Sequence, residues 1–353
     1  MSVRSSVAIH FCAKNEIKDV MNFVGEYWPK KNHILSHNKP LMNWQYFNKA
    51  GQSYNFVIAR DSVNGSVLSV LGYIPTQRYD PALTSINTIW LALWLSRDDA
   101  DISGLGLMVY RFLVNNEDYE AIGVLGINSY ATGIYEAMGY DLGILNQYYM
   151  LNKECSEFQI AVIPADSKNR AIERIKNRKK FIKVTTKNFK EISESISYVQ
   201  PITIIPRKSP EYFYTRFLQH PIYNYHLYAI LEHGIPQGIV ALRCSNMADR
   251  CALRIVDYYG PVKGLLGTAP EFQFLMAEFE AEYCDMYNIG IGESILASAG
   301  FSKLNANSAI IIPNYFEPFE KRNVEIRYAI KSLGQGHYML FKGDGDQDRP
   351  NIT

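Results

Sequence analysis

The chain has 353 residues, of which 47% are hydrophobic and 20% are charged. At about 150 residues per domain, this length predicts roughly two domains with sizeable cores, and the composition excludes a mainly disordered chain. Because 36 Lys and Arg stand against 35 Asp and Glu, the formal net charge is +1, which argues against a dedicated nucleic-acid-binding protein.

The cysteines and the apolar segments of the chain indicate its cellular compartment. Five cysteines are scattered without a CxxC pair, which favours a reducing environment and predicts neither a zinc site nor a disulfide framework. Residues 1–12 lack the apolar core of a signal peptide, and the apolar stretch 89–95 is too short to cross a bilayer. We therefore expect a cytoplasmic protein with no membrane contact, either a monomer or a dimer.

The first half of the chain alternates strands and helices. The Asn64-Gly65 pair predicts a hairpin turn between two of the strands. The predicted elements are, in chain order, a strand at 7–11, a helix at 16–27, a short helix opened by Pro40, strands at 55–60, 67–75 and 85–95, a helix at 105–115, a strand at 121–127, a helix at 130–138 and strands within 142–151.

The second half repeats this order, which predicts an internal duplication. Between the halves, residues 168–180 carry seven Lys or Arg, a composition typical of a solvated helix between domains. We therefore predict a first domain at 1–152, a linker at 153–180 and a second domain at 181–353. The predicted elements of the second half are helices at 191–197 and 210–219, strands at 227–232, 237–243 and 251–258, a helix at 269–282, a strand at 284–291 and a helix at 293–299.

A glycine-containing loop joins the strand at 85–95 to the helix that follows it. Its last residues, 101–106, read DISGLG. Glycines between a strand and a helix let backbone N–H groups converge on an anion, and the positive end of the helix dipole adds to the attraction. The loop therefore either holds a pyrophosphate or is a tight turn without a ligand.

Taken with its neighbours, this loop resembles that of the GNAT superfamily of acyl-CoA-dependent N-acyltransferases. The resemblance covers about residues 7–151 and is carried by Gly104, Gly106, Asn128, Tyr135, Gly139 and Tyr140 in their order between strands and helices. It implies an α/β (α+β) fold of two tandem GNAT-like domains, each a mixed, mostly antiparallel sheet flanked by helices.

The resemblance also implies a co-substrate and two catalytic residues. Tyr135 would protonate the departing thiolate, and a backbone N–H at the end of the strand 89–95 would stabilise the oxyanion. The ordinary alternative for Tyr135 is a helix residue packed on the sheet. Asn128 would reach the pantetheine arm or the neighbouring helix, and we count it with Tyr135 as catalytic. The implied acyl-CoA contacts, with no metal, are Leu93, Leu95, Gly104, Leu105, Gly106 and Asn128.

Two departures from the family pattern restrict this expectation. The family has Gln or Arg where this chain has Asp101, so phosphate binding would rest on backbone N–H groups and the helix terminus. In the second half, glycines at Gly264 and Gly267 are differently spaced, and Leu296 stands where the first half has Tyr135. We therefore expect acyl-CoA in the first half only and the acceptor in the cleft between the halves.

The C-terminal segment 341–351 alternates Asp and Gly. It resembles the tail of tandem-GNAT enzymes from bacterial O-antigen and capsule gene clusters, which N-acylate dTDP-linked 3- or 4-amino-6-deoxyhexoses. The resemblance implies transfer of an acetyl or 3-hydroxybutanoyl group to a nucleotide-linked amino sugar. The predicted acceptor contacts are Trp44, Tyr46, Tyr223, Tyr225, His226, Asp346, Asp348 and Arg349. The ordinary alternative is a frayed tail, and the general base stays open among His226, Asp346 and Asp348.

Two other functions fit a tandem GNAT chain. One is an aminoacyltransferase of the Fem type, which acts in peptidoglycan synthesis and uses aminoacyl-tRNA. The near-neutral charge weakens this hypothesis, because tRNA contacts demand a basic surface. The other is a non-catalytic ligand-binding protein, which the complete loop, Asn and Tyr set of the first half weakens.

Overall fold

The computed structural model describes residues 7–30, 32–164, 179–305 and 307–350. Within these ranges the α-helices are α1 (Ile17–Tyr27), α2 (Lys39–Tyr46), α3 (Leu105–Asn116), α4 (Ser129–Ala137), α5 (Phe189–Ser195), α6 (Pro210–Phe213), α7 (Ala269–Glu278) and α8 (Glu293–Ser298). Shorter helical turns lie at Lys14–Glu16, Ile34–Ser36, Thr76–Arg78, Pro81–Ile86, Tyr214–Leu218 and Val262–Leu265.

The strands run through both halves. In the first half they are β1 (Val7–Ala13), β2 (Phe47–Asn48), β3 (Ser53–Asp61), β4 (Val67–Pro75), β5 (Thr88–Ser96), β6 (Ala121–Leu125) and β7 (Asp141–Leu151). In the second half they are β8 (Lys179–Val184), β9 (Ile204–Ile205), β10 (Tyr225–Glu232), β11 (Ile235–Met247), β12 (Arg250–Tyr259), β13 (Ala281–Ile289), β14 (Ser302–Lys303), β15 (Ile326–Ser332), β16 (His337–Tyr338) and β17 (Leu340–Phe341).

Both halves are built on the same unit. In the first, β1, β3, β4 and β5 form an antiparallel meander, and α3 leads to β6, which pairs with β5 in parallel. In the second, β8, β10, β11 and β12 repeat the meander, and α7 leads to β13, parallel to β12. This confirms the predicted fold class, a mixed α/β (α+β) fold in which each unit has mostly antiparallel strands flanked by helices.

The two units exchange strands and form one continuous sheet. β15 comes from the end of the chain, yet it lies between β6 and β7 in the sheet of the first unit. The later residues of β7 pair in turn with β13 in the sheet of the second unit. The first sheet is therefore completed by residues beyond 181, and the domain bounds 1–152, 153–180 and 181–353 stay a prediction.

Helices cover both faces of the first sheet, and β4 shows the consequence. All nine of its residues are buried. Val70 and Ile74 belong to the core beneath α1 and α2, whereas Leu71 and Tyr73 belong to the core beneath α3. Successive side chains of a strand point to opposite faces, so this strand is apolar without alternation.

The predicted helix 269–282 is too long. α7 ends at Glu278 and β13 begins at Ala281, which places Glu282 in a strand. The Glu282 carboxylate is fully buried and accepts the backbone N–H groups of residues 159–161 at 2.6–3.1 Å. This contact attaches the end of the first half to β13, and because its partners lie about 120 residues away no local pattern indicates it.

Two further expectations meet the structure only in part. The strand predicted from residue 85 begins at Thr88, because Pro81–Ile86 is a helical turn. The basic segment 168–180 lies outside the described residues except for Lys179 and Lys180, which begin β8. Among the helices of the described ranges, none is long and apolar enough to span a membrane.

Candidate functional site

A cleft opens in the first half where β5 and β6 separate. Their parallel pairing stops at Trp90 and Gly123, although β5 continues to Ser96. Beyond this point the β4–β5 register skips Ala92. The bulge and the missing partner leave the end of β5 without a β6 ladder on one side, and the role of a backbone N–H there as the oxyanion donor stays a prediction.

The first turn of α3 stands beside this cleft. Gly104 precedes the helix with φ +73°, a left-handed conformation that glycine adopts without strain. A Cβ built on Gly104 would meet no atom within 4 Å, so the space in front of the helix terminus is open. The loop before it, residues 97–103, carries three Asp and one cation, Arg97, which is bonded to Asp99 at 2.7 Å. An anion here would therefore rely on backbone N–H groups and the helix dipole.

Trp94 connects this loop with Tyr135. A Cβ on Gly106 would lie 3.1 Å from the indole Nε1 of Trp94, and the Trp94 ring meets the Tyr135 ring edge to face at 6.3 Å. Tyr135 is buried in α4, and burial raises the pKa of its hydroxyl above the ordinary value. The hydroxyl is therefore protonated at neutral pH, which a proton donor requires. Sequence reasoning missed Trp94, because in the sequence it looks like any core residue of a strand. Its position near the end of β5 places it at the cleft.

The other predicted cofactor contacts lie in β5, at the start of α3 and at the N-terminus of α4. Asn128 caps α4, since its Oδ1 accepts the backbone N–H of Ala131 at 2.9 Å. Leu93 and Leu105 are buried, and Leu95 is partly buried. Contacts join Trp94 to Gly106 and Tyr135, whereas Leu93 packs in the core on the α1 and α2 side of the sheet. The roles of these residues toward acyl-CoA stay predictions.

The equivalent cleft of the second half is filled by the chain itself. The β12–β13 ladder also stops, and Val256 is skipped in the β11–β12 register as Ala92 is in the first half. Here, however, β17 pairs with the end of β13, and Gly343 donates its N–H to the Val256 carbonyl at 2.8 Å. Gly264, the alternative phosphate loop, is packed tightly, since a Cβ there would lie 2.6 Å from the Tyr258 hydroxyl.

The C-terminal tail, residues 342–350, is buried, so the frayed alternative is wrong. Asp344 is fully buried with Lys208 and Asp257. The Lys208 Nζ lies 2.6 Å from Asp257 and 3.0 Å from Asp344. Burial raises the pKa of Asp257 to about 7 against the opposing effect of Lys208.

A second buried ion pair holds the end of the tail. Arg216 donates to Asp348 at 2.8 Å and to the carbonyls of Gly343 and Gly345 at 3.4 and 3.3 Å. Tyr225 donates to the other oxygen of Asp348. Burial would raise the pKa of Asp348, but Arg216 and Arg349 hold it below the ordinary value. Asp348 is therefore ionised and serves as the counter-ion of Arg216.

Most of the predicted acceptor residues surround this tail. Tyr46 and Tyr225 are buried, and Tyr223 donates its hydroxyl to the Pro350 carbonyl at 2.9 Å. Burial raises the pKa of Asp346. Arg349 is buried and bonded to Gln45, so its guanidinium already has a partner within the protein.

Trp44 and His226 lie in different surroundings. Trp44 lies at 4.3 Å from the ring of His220, which sequence reasoning missed. His226 instead packs on Phe279 at 4.7 Å, away from the tail. It follows Tyr225 in β10 and therefore points to the opposite face of the sheet. The structure does not bring His226 to the other predicted residues.

A cavity of about 570 Å³ lies between the halves and the tail. It is reached by Gly126 at the end of β6, so it adjoins the cleft of the first half. Asp348 and Arg349 line it, and so do residues that sequence reasoning missed: Arg243, Arg254, Asn314 and Lys342. These residues come from β11, β12, a loop and the tail, which are separated in the sequence, so only the folded chain brings them together. No group of three or more potential metal ligands occurs in the part of the chain that the structure describes.

Comparison with known proteins identifies the architecture. No family model and no curated protein matches the sequence. Among solved structures, GCN5-related N-acetyltransferases from Anabaena variabilis and Kribbella flavida match 93% and 94% of this chain, and 73% and 72% of their own, with TM-scores of 0.54 and 0.55 at 11% and 10% identity.

The chain has the GCN5-related N-acetyltransferase fold. A third structure with this fold is the glucosamine N-acetyltransferase region of a fungal multi-domain GH3 β-N-acetylglucosaminidase. It matches 94% of this chain and 38% of its own at a TM-score of 0.52 and 9% identity. At these identities the likeness establishes the fold alone.

The Asp348→Asn variant tests the role of the tail in stability. It leaves Arg216 charged and buried without a counter-ion, so we expect the free energy of unfolding to fall by about 3–5 kcal/mol. Asp346→Asn is the matched control: burial already favours the neutral form of that carboxyl, and we expect a smaller loss. Urea unfolding at pH 7 measures both. Equal midpoints for the two variants would contradict the assignment of Asp348 as the counter-ion.

Proposed function

We propose that this protein is an acyl-CoA-dependent N-acyltransferase whose acceptor is a nucleotide-linked amino sugar. The observation that carries the proposal is the difference between two equivalent clefts. The cleft beside Gly104 is open at a helix terminus, whereas the one beside Val256 holds the chain's own residues 340–343. Because only the first of these two clefts is open, we expect each chain to bind one acyl-CoA, in its first half.

The acceptor belongs in the cavity between the halves. The cavity adjoins the open cleft at Gly126, so an amine placed there could reach a thioester at the end of β5. Tyr135 would give its proton to the departing thiolate, and a backbone N–H at the β5 bulge would hold the oxyanion.

Amino-sugar acylation is supported by the character of this cavity. It is lined by cations and by Tyr315 and Phe316, which suit a phosphate-linked sugar with a planar base. The fungal structure of the same fold is named for a glucosamine N-acetyltransferase region. We propose a dTDP-linked amino-deoxysugar of O-antigen or capsule synthesis as the acceptor, with acetyl or 3-hydroxybutanoyl as the acyl group.

A direct assay tests this function. The protein is mixed with acetyl-CoA or 3-hydroxybutanoyl-CoA and a dTDP-linked 3- or 4-amino-6-deoxyhexose, and the released CoA thiol is measured. We expect thiol release that depends on the amino group. The same nucleotide sugar with a hydroxyl in place of the amine is the control. Thiol release no faster with the amines than with the hydroxyl control would contradict the proposal.

Gly104→Ala tests the predicted phosphate cradle. The new Cβ meets no protein atom but enters the space that a phosphate would need, so we expect the KM for acyl-CoA to rise about tenfold, which is about 1.4 kcal/mol. Gly65→Ala is the matched control, because Gly65 has the same φ of +73° and the same open surroundings in the β3–β4 turn. Both variants carry the same backbone strain. Equal KM values in the two variants would place the pyrophosphate elsewhere.

Tyr135→Phe tests the proton donor. Loss of the hydroxyl removes the acid without opening a cavity, so we expect kcat to fall about 100-fold with little change in the KM for acyl-CoA. Tyr140→Phe is the control: its ring lies 5.1 Å from that of Tyr135, and its hydroxyl bonds only to Tyr110 among the side chains described, at 2.8 Å. If the two variants retain the same kcat, Tyr135 is a packing residue.

A further inference from the structure

Three of the cations that line the cavity between the halves come from the sheet of the second unit and the start of the tail. Arg243 comes from β11, Arg254 from β12 and Lys342 from the start of the tail. Arg254 and Lys342 are 3% and 6% exposed, so water does little to screen their charges from one another. Burial, and next the charge of Arg254, lower the pKa of Lys342 well below its ordinary value.

The carboxylates of the protein neutralise the charges of these three cations only in part. Arg254 has Asp285 at 3.6 Å. Among the carboxylates of the described residues, Arg243 has the exposed Glu317 at 3.9 Å, and it also donates to the Asp348 main-chain carbonyl at 3.0 Å. Lys342 bonds to Asn314, a neutral side chain, and no carboxylate lies within 4 Å of it among the described residues. Asp348, which also lines the cavity, is already engaged by Arg216 and Tyr225.

The remaining acids of the cavity lie toward its rim and have their own partners. Glu320 is bonded to Arg322 at 2.6 Å, and Glu325 to Arg327 at 2.8 Å. The deep part of the cavity therefore keeps an excess of positive charge, while the rim is close to neutral. A buried cation without a counter-ion is costly, and an anionic ligand would offset that cost.

We propose that Arg243, Arg254 and Lys342 form a binding subsite for the phosphate groups of the acceptor. Arg guanidinium groups donate to phosphate oxygens in pairs, and an ammonium group adds a compact charge with three donors. The subsite differs from the phosphate cradle at α3, which belongs to the first half. This inference rests on the proposed function in one respect: it assigns the bound phosphate groups to the acceptor. Arg349, a predicted acceptor contact, is bonded to Gln45 and is not part of this subsite.

Titration with inorganic pyrophosphate at constant ionic strength tests the subsite without acyl-CoA. We expect wild-type protein to bind pyrophosphate and Lys342→Met to bind it about 10- to 100-fold more weakly, because a hydrogen bond to a charged group is lost. Lys190→Met is the matched control, since Lys190 is 86% exposed on α5. Lys342→Met removes an uncompensated buried charge, so we expect its melting temperature to equal or exceed that of wild type. Arg243→Gln, whose side chain is 13% exposed in wild type, is the second variant should Lys342→Met fail to fold.

The outcomes separate the subsite from the cradle. Weaker binding in Lys342→Met and Arg243→Gln, with Gly104→Ala unchanged, supports the subsite. Binding that is lost in Gly104→Ala and kept in Lys342→Met would place the anion at α3 and overturn the inference. Absence of binding to wild-type protein would overturn it as well.

The proposed function can fail separately. If Lys342→Met and wild type turn over the nucleotide-linked amine with the same KM, the subsite is wrong and acyl transfer stands. If pyrophosphate binds as expected but no nucleotide-linked amine releases CoA thiol, the subsite stands and the proposed function is wrong.

Discussion

The buried guanidinium of Arg216 is the constraint on which the centre of the molecule depends. It is surrounded by the rings of Trp44, Tyr79, Phe217 and Tyr225 at 5.1–6.0 Å and has no contact with water to offset its charge. Its counter-ion is Asp348, 132 residues further along the chain. The chain end must therefore return between the two halves before the core can close, and Lys208 requires the same through Asp344.

This return explains why two equivalent units have different clefts. Each unit ends a parallel ladder beside a bulge, at Ala92 in the first and at Val256 in the second. In the second unit the tail satisfies the exposed backbone, since Gly343 donates to the Val256 carbonyl. In the first unit the tail packs against the wall of the cleft: a Cβ on Gly345 would lie 3.8 Å from that of Trp90, and one on Gly126 would lie 2.5 Å from the Gln347 Oε1. The ion pairs of the tail thus close one cleft and shape the wall of the other.

The local elements could be predicted from the sequence, and the long-range contacts could not. Apolar periodicity predicts the meanders and α3. The positive φ of Gly104 is a finding of the structure, because residues before a helix are usually extended. The sequence of β15 is that of an ordinary strand, and no feature of it indicates that the strand pairs with β6 and β7. The tail has the composition of an exposed loop and is buried only because Lys208 and Arg216 meet it. The separation of His226 from Tyr225, by contrast, follows from alternation in β10 and could have been predicted.

Charge compensation separates structural cations from those that await a ligand. Lys208 and Lys342 are both buried lysines near the tail, yet Lys208 lies within hydrogen-bond distance of two carboxylates and Lys342 contacts an amide. The pKa values of the two lysines shift in opposite directions. Burial lowers the pKa of Lys208, but Asp257 and Asp344 outweigh it, so the pKa is raised. Burial and the charge of Arg254 lower the pKa of Lys342. A charge that serves only the fold gains stability from its partners. Lys342 costs the fold stability unless an anion enters the cavity, and this asymmetry is what a binding residue, not a packing residue, is expected to show.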